Sequence, residues 1–260
     1  MRIFAVSDLH VEYAENDRWV GQLSGWDYKN DVLVCAGDLA HHSSLVAKTL
    51  ERLRSLFLEV LYVPGNHELW MTGPAHSTDA GNSLEKFHSI RRVAAEHGVH
   101  TEPLHLPGLS LVPLFAWYDF SFGLPTTDLL QAWADFHRCS WPERLSPPQI
   151  AEHFLSINEP YLQARESRGE PVISVSHFVP RLDLLSNRPW VRTFLAPVLG
   201  SELIEKQVRQ LGSFLHIYGH YHRNGRTERE QVTYINNALG YPSEKSFLPR
   251  ELVCAYEIET

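Results

Sequence analysis

The chain is short of cysteine: Cys35, Cys139 and Cys254 are its only three in 260 residues, and no two form a CxxC pair. That excludes a zinc knuckle and a disulfide framework, and it fits a reducing compartment. Dense Lys/Arg clusters are also missing, and 31 acidic residues against 23 basic ones give a formal charge of -8. Sequence-independent binding to duplex nucleic acid is therefore disfavoured, although a small phosphate-bearing substrate is not, because bound divalent cations offset negative charge locally. No apolar run approaches the ~20 residues of a membrane span. The opening "MRIFAVSDLH" has too short an apolar core and too early an acid for a signal peptide. A cytoplasmic protein without a membrane segment is expected. Repeats, low-complexity tracts and Pro/Gly/Ser-rich linkers are absent as well, so residues 1–260 are expected to form a single domain.

What is present is an ordinary globular composition, 43% hydrophobic and 21% charged. Short runs rich in Val, Ile and Phe stop abruptly at polar or glycine residues: "RIFAVSD", "DVLVCAGD", "EVLYVPGN", "SLVPLFAWYD", "PVISVSH" and "SFLHIYGH". Each reads as a buried strand ended by a loop, with further strands at "QVTYINNA" and "ELVCAYEIE". Helical patterns lie between them. "SSLVAKTLERLRSLFLE" opens with Ser43 and Ser44 as cap candidates, and "NSLEKFHSIRRVAAEHG" is bracketed by Asn82 and Gly98. The alternation predicts an α/β fold with helices covering sheet faces. Between about 121 and 170, "PTTDLLQAWADFHRC" and "SPPQIAEHFLSINEPYLQARES" predict a helical insertion.

The chemistry-bearing residues sit at one repeated place, the carboxyl end of each buried run: Asp8 and His10, Asp38, Asn66 and His67, His177, then His220 and His222. In open α/β sheets the ligand crevice lies outside the carboxyl ends of strands, so these positions can converge in space. Taken singly, "DLH" and "GD" are weak signals, and "GNHE" reads equally as a turn. In "GHYH", positions i and i+2 of an extended chain point the same way, so His220 and His222 can share a crevice while Tyr221 faces away. His216, inside its run, is expected to pack or hydrogen-bond.

The ordered set D-x-H, G-D, G-N-H-E, H and G-H-x-H, from Asp8 to His222, resembles the calcineurin-like metallophosphoesterase superfamily. The resemblance implies a four-layer αββα sandwich around a binuclear metal centre. It implies that Asp8, His10, Asp38 and His222 hold one divalent ion and that Asp38, Asn66, His177 and His220 hold the other, with Asp38 bridging. Manganese is favoured among manganese, iron, zinc, cobalt and nickel. Carboxylates offset the charge of two cations about 3.5–4 Å apart, and imidazole suits first-row transition metals. His67 is implied not to ligate but to face the scissile phosphate as a catalytic residue, stabilising developing charge or protonating the leaving oxygen, with Asp8 available to orient it. The metals are implied to polarise the phosphoryl group and acidify a water.

"GDLAHHS" lacks the second Asp and the Arg of "GDxxDRG", which sets the chain apart from the protein serine/threonine phosphatases and diadenosine tetraphosphatases. "GNHE" likewise departs from the "GNRD" of lipid A precursor hydrolases. "SDLHVEY", "YVPGNHELW" and "FAWYDF" are similar to a bacterial branch with "SDLHLE", "GNHEFY" and "LWTDF", whose fourth motif often pairs two histidines. Here Phe178 replaces the second. His41, His42, Trp70, Trp117, Tyr118, Asp119 and Phe178 are expected near a substrate rim, with core packing or helix capping as the alternatives. The expected activity is hydrolysis of a small phosphodiester or phosphomonoester, such as a nucleotide. A metal-dependent nuclease is the alternative enzyme, and a catalytically silent binding scaffold the alternative of another class.

Overall fold

Alternate residues of each buried run face opposite ways. Ile3 and Ala5 enter one apolar cluster while Phe4 and Val6 enter another, and Val32 and Val34 part from Leu33 and Cys35 in the same manner. That is the pleat of strands buried on both faces, which accounts for their nearly continuous apolar character. The computed structural model describes residues 1–71, 80–165 and 169–258. In its first sheet β1 (Arg2–Val6), β2 (Val32–Cys35) and β3 (Glu59–Tyr62) run parallel, and β10 (Val253–Glu257) pairs antiparallel with β1.

The second sheet has the order β4-β5-β6-β7-β9-β8. Its strands are β4 (Leu104–Leu106), β5 (Leu109–Pro113), β6 (Val172–Val175), β7 (Leu215–Tyr218), β8 (Gly225–Arg229) and β9 (Val232–Asn236). β5, β6, β7 and β9 are parallel, and β4 and β8 form antiparallel edges.

Helices α1 (Ala14–Gly21), α2 (Ser43–Leu56) and α3 (Ser83–Glu96) bring Val20, Val46, Leu50 and Ile90 onto the outer face of the first sheet. α6 (Pro147–Arg165) and α8 (Glu202–Gln210) add Ile150, Phe154, Ile204 and Val208 to the cluster shared with the second sheet. The result is the expected sandwich of helix, sheet, sheet and helix. The two sheets touch where β1 and β9 end: Ser7 N donates to Asn237 O at 2.9 Å and Leu239 N donates to Ser7 O at 2.9 Å. This seam brings the strand-end loops of both sheets together.

Several local expectations change. The stretch expected as one helix around residue 130 is split into α4 (Thr127–Ala132) and α5 (Asp135–Arg138), with Trp133 and Ala134 between them. The "SLVPLFAWYD" strand stops at Pro113. His42 rather than Ser43 or Ser44 occupies the cap position of α2, without a side-chain bond. Asn82 does cap α3, accepting from the Leu84 and Glu85 amides at 3.0 Å each. Positions 166, 167 and 259 of the expected elements lie outside the described residues. α1, α8, the short α7 (Ala196–Leu199), β4 and β8 were not anticipated.

Candidate metal centre

The loops that leave the strands hold unusual backbone. Asp8, His10, Asp38 and His220 have φ of 53, 43, 56 and 65°, a left-handed region that costs non-glycine residues about 1–3 kcal/mol each and persists only where surroundings enforce it. The enforcement is visible. Asp8 N donates to Gly37 O at 2.8 Å, His10 N to Asp38 O at 3.1 Å and Gly240 N to Asp8 O at 3.0 Å. The fully buried Glu68 carboxylate accepts from Leu39 N at 2.6 Å, Gly65 N at 2.7 Å and Asp38 N at 3.1 Å, stitching two loops together. Burial, with Asp38 nearby, pushes Glu68 up to about 7. At Gly37, whose φ is +89°, a Cβ would collide with His177 Nδ1, so only glycine lets that imidazole approach.

Among the described residues three groups of ligand atoms result, one of them His10, Glu12 and His67, which shares His10 with the first of the two described next. Those of Asp8, His10 and His222 lie within 4.8 Å of one another, and so do those of Asp38, His177 and His220. In the first, His222 Nε2 is 3.2 Å from Asp8 Oδ1 and 3.4 Å from His10 Nε2. In the second, His177 Nε2 is 3.0 Å from Asn66 Oδ1, 3.2 Å from His220 Nδ1 and 3.5 Å from Asp38 Oδ2.

The opposite nitrogen of each ring faces an acceptor outside the cluster. His222 Nδ1 meets Glu244 Oε2 at 2.7 Å, His177 Nδ1 meets Ala36 O at 2.8 Å, His220 Nε2 meets Val198 O at 3.1 Å and His10 Nδ1 faces Glu12 Oε1 at 3.6 Å. An acceptor on the outer nitrogen holds the N–H there and turns the lone pair inward, the arrangement metal-bound imidazoles use. Inward lone pairs this close repel unless a cation or proton lies between them, so the donor set fits divalent metal. Burial works against protonation of His222, yet Asp8 and Glu244 push it up to about 10; burial likewise opposes Asp38, which pushes His177 up to about 9. Burial raises and His222 lowers Asp8, leaving it near 2.

The sequence profile of the calcineurin-like phosphoesterases (Metallophos) matches residues 1–224. The chain belongs to the calcineurin-like phosphoesterase family. Among curated proteins it is 32% identical over 127 residues to "[Acyl-carrier-protein] phosphodiesterase PptH" of Mycobacterium tuberculosis (strain ATCC 25618 / H37Rv), an alignment spanning 46% of this chain and 38% of that protein. The crystal structure of phosphopantetheinyl hydrolase (PptH) from Mycobacterium tuberculosis superposes with a TM-score of 0.81 at 22% identity, covering 94% of this chain and 91% of that one. The family consists of divalent-metal-dependent phosphoester hydrolases, and the clusters above supply matching donors.

In this calcineurin-like site His67 is buried, with its ring centroid 3.6 Å from that of Trp70 and 4.6 Å from that of His10. Its Nε2 is 3.7 Å from Asp38 Oδ2 and 3.4 Å from the Tyr241 hydroxyl. Asp38 is thus the carboxylate beside His67, whereas Asp8 is turned to His222 and to the amide of His220. Burial pushes His67 down to about 3, so its ring is neutral near pH 7. A cavity of about 370 Å³ is lined by Asp38, Asn66, His67, His220 and His222 together with Trp70, Trp133, Leu195, Leu199, Tyr241 and Tyr221, the last against the expectation that it faces away.

The rim expectations need correction. Trp117, Tyr118 and Phe178 are each 1% exposed and pack on one another in the core, with Phe178 backing His220 at 4.7 Å between centroids. Asp119 closes its own loop by accepting from Ser121 N at 3.0 Å. His41 and His42 stack on each other at 4.3 Å outside the cavity lining. Of the expected rim only Trp70 lines the cavity. Glu12, Asp135, Tyr241 and Glu244 were missed. Glu12 alone carried a signal, following His10 in "DLHVE"; Tyr241 and Glu244 come from the unpatterned loop "GYPSEK". His216 packs as expected, 2.8 Å from Ser174 Oγ and 3.0 Å from Ser176 Oγ.

Proposed function

We propose that the chain hydrolyses a phosphodiester with the help of two divalent metal ions, and that this diester joins a phosphopantetheinyl arm to an acyl carrier protein. The first half rests on one observation: two clusters of inward-facing donors, Asp8/His10/His222 and Asp38/His177/His220, in one buried site. Asp8, His10, Asp38 and His222 would hold one ion, and Asp38, Asn66, His177 and His220 the other, with manganese favoured. When bound, the metals supply polarisation of the phosphoryl group and acidification of the attacking water.

The chain's own residues do the rest. Asp38 and the Tyr241 hydroxyl lie on the Nε2 side of the neutral His67 ring and favour the tautomer with its N–H there, where it can hydrogen-bond the negative charge developing on the phosphoryl and departing oxygens. Trp70 holds the ring by tilted face contact, with centroids 3.6 Å apart. Glu244 fixes the tautomer of His222. Residues 1–260 act as a single domain in this reading.

The substrate half is supported by the name of the 32% identical relative and by the cavity. A volume of about 370 Å³ with Trp70, Trp133, Leu195 and Leu199 in its lining accepts a slender alkyl-amide arm beside the phosphate. The deciding experiment compares bis-p-nitrophenyl phosphate, p-nitrophenyl phosphate and phosphopantetheinylated acyl carrier protein across manganese, iron, cobalt, nickel and zinc, with Asp38→Ala as control. Release of phosphopantetheine and faster diester than monoester turnover are expected. Faster monoester turnover overturns the diester assignment; an inert carrier protein beside an active model diester overturns the substrate alone.

A further inference from the structure

Among the residues by which the inserted helices reach the site, one is a buried carboxylate. Asp135, the first residue of α5, is 2% exposed. Its Oδ1 accepts from Asn66 Nδ2 at 2.9 Å and from the Trp70 indole N–H at 2.6 Å, while its Oδ2 accepts from the Trp133 indole N–H at 2.8 Å. Three donors thus converge on a single carboxylate.

We infer that Asp135 is a positioning residue that fixes Asn66 as an oxygen ligand and His67 as a hydrogen-bond donor to the phosphoryl group, an inference resting on the binuclear reading above. A side-chain amide can present either its oxygen or its NH2 to a metal, and only the oxygen has a lone pair to give. A carboxylate accepts and does not donate, so Asp135 draws the Asn66 NH2 to itself and leaves Asn66 Oδ1 facing His177 Nε2 at 3.0 Å. The same Oδ1 holds the Trp70 indole, and the Trp70 ring lies against His67 with centroids 3.6 Å apart and planes 31° apart. Arg138, also in α5, lies over the Trp70 ring at 4.5 Å. The Trp133 bond anchors the other carboxylate oxygen, and the Trp133 ring meets His220 edge-on at 5.9 Å. An insertion remote from the strand-end motifs therefore sets the orientation of two consecutive motif residues.

The two branches separate by experiment. Metal-free protein is titrated with manganese by calorimetry, and turnover of bis-p-nitrophenyl phosphate is measured in parallel. Wild type should take two equivalents. Asp135→Asn, which sets an NH2 among three donors, should keep one equivalent at wild-type affinity and bind the other about 10–100-fold more weakly, the usual effect of losing an outer hydrogen-bond partner. Trp70→Phe keeps an aromatic ring beside His67 but loses the indole N–H and its five-membered ring, so it should keep both equivalents while kcat falls and KM holds. Trp133→Phe should keep both equivalents, which separates orientation of Asn66 from general loosening of the insertion.

Equal affinity for both equivalents in Asp135→Asn overturns the Asn66 branch, and wild-type kcat in Trp70→Phe overturns the His67 branch. A wild type that takes fewer than two equivalents overturns the binuclear reading and this inference with it.

Discussion

On the proposed ligand set, protons and metals compete for the same nitrogens at His222 and His177. In the metal-free protein these imidazoles are raised to about 10 and about 9 by carboxylates that outweigh their burial, against about 6.5 for a free histidine. The folded state therefore holds these protons more tightly than the unfolded chain. Their contribution to stability is fully present below about pH 6.5 and is lost as pH rises through 9 to 10. Coordination needs the neutral ring, so metal affinity should climb over the same window and loading should release protons. The Tm of metal-free protein should fall from pH 6.5 to 10, and calorimetric titration at pH 7.5 in buffers of different ionisation enthalpy should report that release. Binding with no proton release would sink the assignment of these rings. His67 behaves differently, because burial keeps it neutral. His67→Ala should lower turnover by about 10²–10³-fold with metal content unchanged, and metal loss measured by elemental analysis would count against its role in stabilising charge on the phosphoryl group.

At the scale of elements, the site depends on loops that glycine and one buried glutamate hold open. Gly37→Ala puts a Cβ at φ +89° and into His177 Nδ1, so it should destabilise the fold by about 1–3 kcal/mol and lower metal occupancy, read by urea unfolding and metal analysis. Unchanged occupancy would show that His177 can shift without consequence.

Most strands were legible because burial on both faces leaves an apolar run that stops where the chain must turn. The motif residues were legible for the same reason, standing where each run stops. His220 and His222 do enter one site, but not by strand parity: β7 ends at Tyr218, and His220 turns with φ 65°. β8, "GRTER", is a largely exposed edge with no alternation to read. Asp135, Tyr241 and Glu244 were illegible because each acts through a neighbour supplied by a distant segment. Trp117 and Phe178 misled because an aromatic beside a motif looks the same in sequence whether it lines the cavity or backs it.

At the scale of the whole molecule, the site joins the two sheets. Asp8, His10, Asp38 and Asn66 follow strands of the first sheet, while His177, His220 and His222 follow strands of the second. An ion bound by ligands from both exists only in the folded chain, so metal should stabilise the native state by RT ln(1 + [L]/Kd), about 2.7 kcal/mol per site at a hundredfold excess over Kd. Two such sites give about 5 kcal/mol. For a chain of this size each kcal/mol moves Tm by roughly 2–4 °C, so chelation with EDTA should lower Tm by about 10–20 °C, and manganese should restore it. Asp38→Ala removes the one ligand assigned to both ions and should abolish most of that shift, whereas His67→Ala should retain it. If elemental analysis showed that EDTA had removed two ions while Tm stayed unmoved, ion binding would not be linked to folding, and a centre assembled from loops of both sheets would be wrong.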